Sequence, residues 1–505
     1  MGEAVTESRR GSVSLCMIVR NEAQQLGECL TPIAALFDEV VIVDTGSRDE
    51  TKRVAAQFTD RVFDFAWCDD FSAARNESLR LTRGDWIFWL DADDRISPEG
   101  AAGLGSLLGT LDDAPRAYLM DTVCSSRYAC EGVNLITHQR LFRRHRDLRW
   151  QGRVHEQLRP EVGQLGYEVL WNDVQIHHLG YQDLALQQRK LQRDVRLLRM
   201  DYAVNPDDAS TLVHLGLAYF HLGRYDEARP CFERLIRSAS APADHLRQVY
   251  GALATMLQRE GKPDEALAVV DQGLTLFPDG EFLLYLRADC LYELDRYREA
   301  KSALTRILTN PGARQYCGGV PGQIKEKLAP RKLADVLRLE REFASAEILL
   351  KSLLNRFPDD TISWYTLGRV YIDFQHRAKL LGVVERLRSC PQGDIFASLL
   401  LATWHLTQRE LEPAGKLIDQ LISLAPQMPL PRLLRAEWLA QSGAPVAKRI
   451  LACRDILRLQ PGNLDARRVL QSLEAASAQS AAVAPGDLCT SVVLGVDIAG
   501  RVEMT

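Results

Sequence analysis

No stretch of this 505-residue chain is apolar over enough residues to span a bilayer as a helix. Apolar runs such as residues 40–43 and 86–90 have the length of buried strands. Residues 1–10 are polar and carry no apolar h-region, so no secretory signal is visible. Cys-x-x-Cys pairs are absent among the eleven cysteines, of which Cys124 and Cys130 are the closest two. An odd, scattered set, with members in apolar segments such as Cys16 and Cys290, fits reduced thiols; a cytoplasmic location is the expectation. A basic excess is also missing: the net charge of −5 argues against a general nucleic-acid binder. One local cluster remains, Arg140, Arg143, Arg144, Arg146 and Arg149, which reads equally well as a solvated edge or as a phosphate-facing group.

What is present is the balance of a globular protein, 46% hydrophobic and 26% charged, in a chain too long for one core. Its character changes near residue 185. Before that point short apolar runs alternate with helical segments. Strands are expected at 12–19, 39–44, 61–65 and 85–90, and helices at 22–36, 49–58 and 71–81. Within the first helix Leu26, Cys29, Leu30 and Ile33 form a core-facing stripe. Strands apolar on both faces, with helices between them, imply a parallel sheet covered on both sides. In such sheets ligands sit at the carboxyl ends of the strands.

After residue 185 strand signals almost stop, and pairs of amphipathic helices take over. A short phrase recurs: Gly-Arg-Tyr-Asp-Glu-Ala at 223–228, Gly-Lys-Pro-Asp-Glu-Ala at 261–266 and Asp-Arg-Tyr-Arg-Glu-Ala at 295–300. Weaker copies occupy 340–346 and 408–414, and their alanines are separated by 38, 34, 46 and 68 residues. Prolines such as Pro206, Pro278, Pro358, Pro426 and Pro461 close the units. The small residue lets two helices approach and proline ends the second. The period of about 34 resembles tetratricopeptide repeats, in about six to seven units. The expected domains are 12–185, 186–475 and a tail, 476–505, in which residues 491–504 alternate weakly like a hairpin.

The sharpest chemical feature is Leu90-Asp91-Ala92-Asp93-Asp94, at the carboxyl end of a wholly apolar strand. Three carboxylates this close repel one another unless a cation or donors neutralise them, and oxygen ligands suit Mg2+ or Mn2+. The bland alternative is a solvated turn before a helix starting at Ser97-Pro98-Glu99, and the apolar strand weighs against it. Two further strand ends are polar: Arg20-Asn21-Glu22, and Asp44-Thr45-Gly46-Ser47 before a helix capped by Ser47 or Asp49.

These phrases carry a family resemblance. Cys16-Met17-Ile18-Val19-Arg20-Asn21-Glu22, Val43-Asp44-Thr45-Gly46-Ser47-Arg48-Asp49 and Leu90-Asp91-Ala92-Asp93-Asp94 resemble family 2 glycosyltransferases. These have the GT-A fold, an α/β, Rossmann-like domain, here followed by an all-α tetratricopeptide-type solenoid. Trp67-Cys68-Asp69-Asp70-Phe71-Ser72-Ala73-Ala74-Arg75-Asn76 is similar to a segment of the repeat-bearing branch. That branch includes peptide S-glycosyltransferases acting on bacteriocin precursors. The resemblance implies a UDP-sugar donor and a divalent metal, Mn2+ or Mg2+. Asp44 would contact the uracil or ribose, with Arg20 and Glu22 lining the same pocket. Asp91 and Asp93 would bind the ribose and the metal, and Arg75 and Asn76 the sugar or phosphates. Asp70 or Ser72 also reads as a plain helix cap. His155 or Glu156 would serve as general base, although Glu156 also reads as a partner of Arg153 or Arg149. His177 would be a third metal ligand, with the adjacent His178 leaving that choice open.

The implied reaction is an inverting transfer from a UDP-sugar to a peptide or protein acceptor held by the repeats, whose groove also suits a homodimer. A lipid-linked or polysaccharide acceptor is the second reading. A non-catalytic repeat scaffold is the third, and Asp44, Arg75, Asp91 and Asp93 speak against it.

Overall fold

The computed structural model describes residues 11–125, 133–179, 184–238, 241–310, 318–321 and 323–482. The alternating segment 491–504 therefore lies outside the described residues. The chain forms two compact units. The first runs through Val249 and takes in the short stretch 318–321, and the second holds the rest of the helices.

The first unit is built on one sheet. Its parallel half comprises β1 (Val13–Val19), β2 (Glu39–Asp44), β3 (Val62–Asp64) and β4 (Trp86–Trp89), in the order β3-β2-β1-β4. These are the four strands the apolar runs predict. Helices α1 (Ala23–Leu30), α2 (Thr51–Ala55), α3 (Phe71–Leu81) and α4 (Pro98–Gly109) pair with them. The stripe Leu26, Cys29, Leu30 and Ile33 is buried against β1, β2 and β4, with Phe88 and Leu104 in the same cluster. The second helix is shorter than 49–58, because Asp49 bonds the Thr51 amide and hydroxyl and delays its start.

The sheet then becomes mixed, with antiparallel pairs entering at β4, a change the apolar runs do not announce. Its remaining strands are β5 (Asp94–Arg95), β6 (Arg116–Ser125), β7 (Val133–Arg143), β10 (Glu168–Trp171) and β11 (Ile176–His178). β7 pairs antiparallel with β4 and β6, and β11 joins β6 in parallel and β5 antiparallel. A separate hairpin, β8 (Arg149–Gln151) and β9 (Gln157–Arg159), carries the 152–156 loop. Its turn needs Gly152 at φ +100° and bends His155 to φ +55°.

Strand signals do not end at 185. β12 (Gly318–Pro321) adds antiparallel to β7, with Gly318 opposite Ile136 and Pro321 opposite Asn134. The first unit also continues past the sheet through α5 (Leu184–Val204), α6 (Ala209–His221) and α7 (Tyr225–Arg237). Two ion pairs set the register of α5: Asp69 accepts both Arg196 guanidinium nitrogens at 2.7 Å, and Arg153 meets Asp201 at 3.1 Å. Val195, Leu197 and Leu198 supply its buried face.

The division falls inside α8 (Ala243–Arg259). The second unit continues with α9 (Pro263–Leu276), α10 (Glu281–Glu293), α11 (Tyr297–Thr309), α12 (Ala329–Leu339), α13 (Phe343–Arg356) and α14 (Thr361–Asp373). It ends with α15 (Arg377–Arg388), α16 (Gly393–Thr407), α17 (Leu411–Leu424), α18 (Pro429–Gln441), α19 (Val446–Leu459) and α20 (Leu464–Ala482). Each pair from α6–α7 to α18–α19 turns through a left-handed residue: Gly223, Gly261, Asp295, Arg341, Gln375, Arg409 and Gly443. That marks seven repeats spaced mostly by 34, including two at Gln375 and Gly443 where the phrase has decayed. The one interval of 46, between Asp295 and Arg341, holds β12.

Inside the second unit a ladder of buried charge crosses α8, α10, α12 and α14. Asp289 takes Lys332 and the Gln258 amide, the latter at 3.1 Å. Asp335 accepts from the Tyr292 hydroxyl at 2.6 Å and from Arg338 Nε at 2.8 Å, with Arg369 at 3.6 Å. Burial opposes ionisation of Asp335, but Arg338 and Arg369 outweigh it and hold its carboxyl at about 2. The last helix returns to the α8–α9 turn, where Arg467 Nη2 donates to the Glu260 carbonyl at 3.0 Å. Gly462 is required beside it, since a Cβ would lie 2.6 Å from the Arg259 carbonyl oxygen.

Candidate functional site

The carboxyl ends of β1, β2 and β4 converge, and their loops clasp one another. Asn21, at φ +56°, accepts from the Arg48 amide at 2.8 Å, while the Ser47 hydroxyl accepts from the Asn21 amide at 2.8 Å. Asp44 is 1% exposed; its Oδ1 accepts from the Gly46 and Ser47 amides at 2.9 and 2.8 Å. Its Oδ2 is buried with no hydrogen-bond partner. Gly46 makes the turn possible at φ +102°. Arg20 stands exposed at the end of β1, and Glu22 is half-buried beside it.

At the end of β4 the three acids are treated differently. Asp94 is fully buried: Oδ2 takes Arg140 Nη1 at 2.9 Å and the Asp91 amide at 3.0 Å, and Oδ1 meets His178 Nδ1 at 3.0 Å. Asp91 is bonded to Arg75 at 2.8 Å. Burial pushes its carboxyl up, but Arg75, Arg140 and His178 overcome that and hold it well below the usual range. Asp93 has only longer contacts, His178 at 3.5 Å and Lys190 at 3.7 Å. Burial raises the Asp93 carboxyl, and the neighbouring Asp91 and Asp94 add to the rise against His178 and Lys190. Glu22 is pushed up to about 7, first by burial and then by Asp93. Asp91 and Asp94 are thus matched by arginines at hydrogen-bond distance, and Asp93 and Glu22 are not.

The arginine cluster divides. Arg140 is neither solvated nor phosphate-facing: it is 1% exposed, bonds Asp94 and Thr122, and lies 4.0 Å from the Trp89 ring centroid. Arg143 and Arg144 tie down local loops through Asp113 and Thr82, and Arg146 and Arg149 are exposed.

Arg75 is held between Asp91 and Glu156, with Trp89 and Trp150 at 4.5 and 5.3 Å from its guanidinium carbon. Glu156 therefore pairs with Arg75, not with Arg153 or Arg149. Asn76, expected to meet the sugar or phosphates, is tied instead to the hairpin. Both atoms of its amide are spent on the Trp150 backbone, at 2.8 Å each, which fastens β8 to α3. Asp70 caps α3 by accepting from the Ala73 amide at 3.0 Å.

His155 stands on the hairpin loop, open to solvent yet closely walled by protein, and stacks on His214 of α6 at 4.4 Å. Burial lowers its basicity, more than Asp194 and Glu156 restore it. The choice between the tandem histidines falls on His178. On β11 alternate side chains face opposite ways, so His177 points out to solvent while His178 meets Asp93 and Asp94. Asp93, Asp94 and His178 are the one group able to hold a metal among the described residues. Sequence reasoning missed Arg140 as a counter-ion and Lys190 altogether. Lys190 belongs to an ordinary amphipathic helix and has no motif to flag it.

Residues 14–162 match the glycosyl transferase family 2 model, and residues 207–279 and 252–313 match tetratricopeptide repeat models. A TPR repeat-containing protein of Synechococcus elongatus is 34% identical over 263 residues, covering 50% of this chain and 64% of that one. The SPbeta prophage-derived glycosyltransferase SunS of Bacillus subtilis is 24% identical over 221 residues, covering 43% and 51%. The chain thus spans between half and two thirds of the length of these relatives. A tetratricopeptide repeat protein of known structure from Parabacteroides merdae has a TM-score of 0.41 at 16% identity, covering 50% of this chain and 94% of that one. The chain carries a GT-A-like glycosyl transferase family 2 domain followed by a tetratricopeptide-type solenoid. No helix among the described residues is long and apolar enough to cross a membrane.

Proposed function

We propose that the protein is a metal-dependent, inverting glycosyltransferase that moves a sugar from a UDP-sugar to a peptide or protein acceptor held by the repeats. The observation that carries this reading is the unequal treatment of the strand-end acids. Asp91 and Asp94 have their own arginines, whereas Asp93 and Glu22 are held above their ordinary range, Asp93 with Lys190 no nearer than 3.7 Å. A purely structural cluster gains nothing from such an imbalance; a site that receives a cation does.

Asp93 and His178 offer one carboxylate oxygen and one imidazole nitrogen, a mixed set that suits Mn2+ better than Mg2+, which prefers oxygen alone. Asp94 has both oxygens committed to Arg140, His178 and the Asp91 amide, so its part is to orient His178. Bound there, the metal would supply positive charge to the donor's pyrophosphate. The free Oδ2 of Asp44 is an acceptor waiting for an N–H or O–H of the nucleoside. Arg75 keeps Asp91 ionised and fixed in place.

For the base, Glu156 is engaged by Arg75, which makes it a poor proton acceptor in this arrangement. His155, whose imidazole burial shifts toward the neutral form, stands open to solvent and so is the better placed of the two. Its stacking on His214 brings the first repeat helices to the acceptor side of the same unit. Sequence matches to tetratricopeptide repeats support a polypeptide acceptor, since such arrays commonly bind peptide segments.

Calorimetry with UDP and UDP-sugars, with and without Mn2+ or Mg2+, tests the reading. Metal-dependent binding that Asp93→Ala abolishes is the expected result. A folded protein that binds no nucleotide under any metal condition would sink it.

A further inference from the structure

The structure points to a function for Lys190 that no motif announces. We propose that Lys190, supplied by the first helix after the sheet, is the mobile cation that meets the charge arriving on the leaving diphosphate. This rests on the nucleotide-sugar reading above.

Four basic groups approach the strand-end acids, and three of them are immobilised. Arg75 is shared between Asp91 and Glu156 and flanked by two indoles. Arg140 is buried between Asp94, Thr122 and Trp89. His178 is bonded to Asp94 at 3.0 Å. Lys190 alone of the four is substantially solvent-accessible, with 34% of its side chain exposed. Its 3.7 Å approach to Asp93 is longer than a hydrogen bond. It also acts electrostatically on Glu22, at the end of β1.

A lysine suits this place better than an arginine would. The ammonium is a compact charge with three rotatable donors on a flexible stem, so it can leave one anion for another nearby. Its helix, by contrast, is fixed: the Asp69–Arg196 and Arg153–Asp201 pairs hold α5 within the same unit as the acids. A long, loosely paired side chain on an anchored helix delivers charge locally without requiring the helix to move.

The transfer step shows where that charge is needed. A lone pair on the acceptor heteroatom forms the new bond to the anomeric carbon. The bond from that carbon to the β-phosphate oxygen breaks, and its electron pair stays on the oxygen as UDP departs. The acceptor proton passes to the base, His155 in the reading above. Negative charge therefore grows on the β-phosphate, and Lys190 exchanges Asp93 for it.

The test compares UDP with UMP, which lacks the β-phosphate, by calorimetry with Mn2+ in the wild type, Lys190→Met and Lys190→Arg. Lys190→Met is expected to weaken UDP binding about ten- to hundredfold. UMP binding should stay within about twofold and the melting temperature should not move. Lys190→Arg should recover most of the loss. A Lys190→Met variant that keeps the wild-type margin of UDP over UMP, or that loses both ligands equally, overturns the proposal. If the wild type binds neither nucleotide, the transferase reading itself fails.

Discussion

Two clusters of buried charge, one in each unit, differ in how completely they are balanced. In the repeat unit every acid of the ladder has a base at close range: Asp289 with Lys332, Asp335 with Arg338, Asp373 with Arg338. Asp335 is correspondingly held down at about 2. At the strand ends of the first unit the balance is partial. Asp91 and Asp94 are held low, while Asp93 and Glu22 are raised. Density of charge alone therefore does not mark a site; residual, uncompensated charge does.

Removing a counter-ion from the balanced part of the site should have the largest effect. Arg140→Met leaves Asp94 buried without its main cation, and a loss of about 3–5 kcal/mol is expected in urea unfolding. Asp335→Asn, the matching change in the ladder, should cost about 2–3 kcal/mol, since Arg338 keeps Asp373. A tolerated Arg140→Met would mean that the two regions are not built alike even where both are paired.

Asp93→Asn sharpens the contrast from the other side. It removes an acid already destabilised by burial, so stability should stay within about 1 kcal/mol of the wild type or rise, while metal binding disappears. A fall in stability as large as that of Arg140→Met would show that Asp93 is structural.

The smallest effect concerns pH. Glu22 carries a carboxyl at about 7 against its ordinary 4.5, so the folded protein keeps a proton that the unfolded chain has shed. Stability therefore falls as pH rises between these values and levels off above them. Glu22→Gln lacks this loss. Its melting temperature, followed from pH 4.5 to 8 relative to the wild type, should climb with pH; a flat difference refutes the assignment.

The parallel half of the sheet was legible because its strands are buried on both faces and read as unbroken apolar runs. Asp91 and Asp93 were legible because such a run ends in them. The antiparallel half was not. In β6 and β7 polar residues such as Asp121, Thr122, Thr137 and Arg140 are buried in pairs with one another, which hides the apolar signal. His178 and His177 differ only in which way a three-residue strand faces, and a sequence without register cannot decide that. Asn76 sat in the right phrase but spends its amide on a backbone. Lys190 and β12 reach the first unit through folding alone. Repeats lacking the phrase were still marked by the left-handed turn at Gln375 and Gly443, a backbone property that side-chain patterns report only in part.

The contact between Arg467 and the Glu260 carbonyl has a further consequence, for the order in which the repeats assemble. Its partners are 207 positions apart in the chain. A stack whose units touch only their neighbours can nucleate anywhere and grow like a zipper. Here the terminal helix finds its resting place on an early turn, so that contact forms only once the intervening helices have set the path between them. Assembly then ends with the seating of α20 on that turn, a step with little entropic cost of its own because the stacked helices have already brought the two partners together.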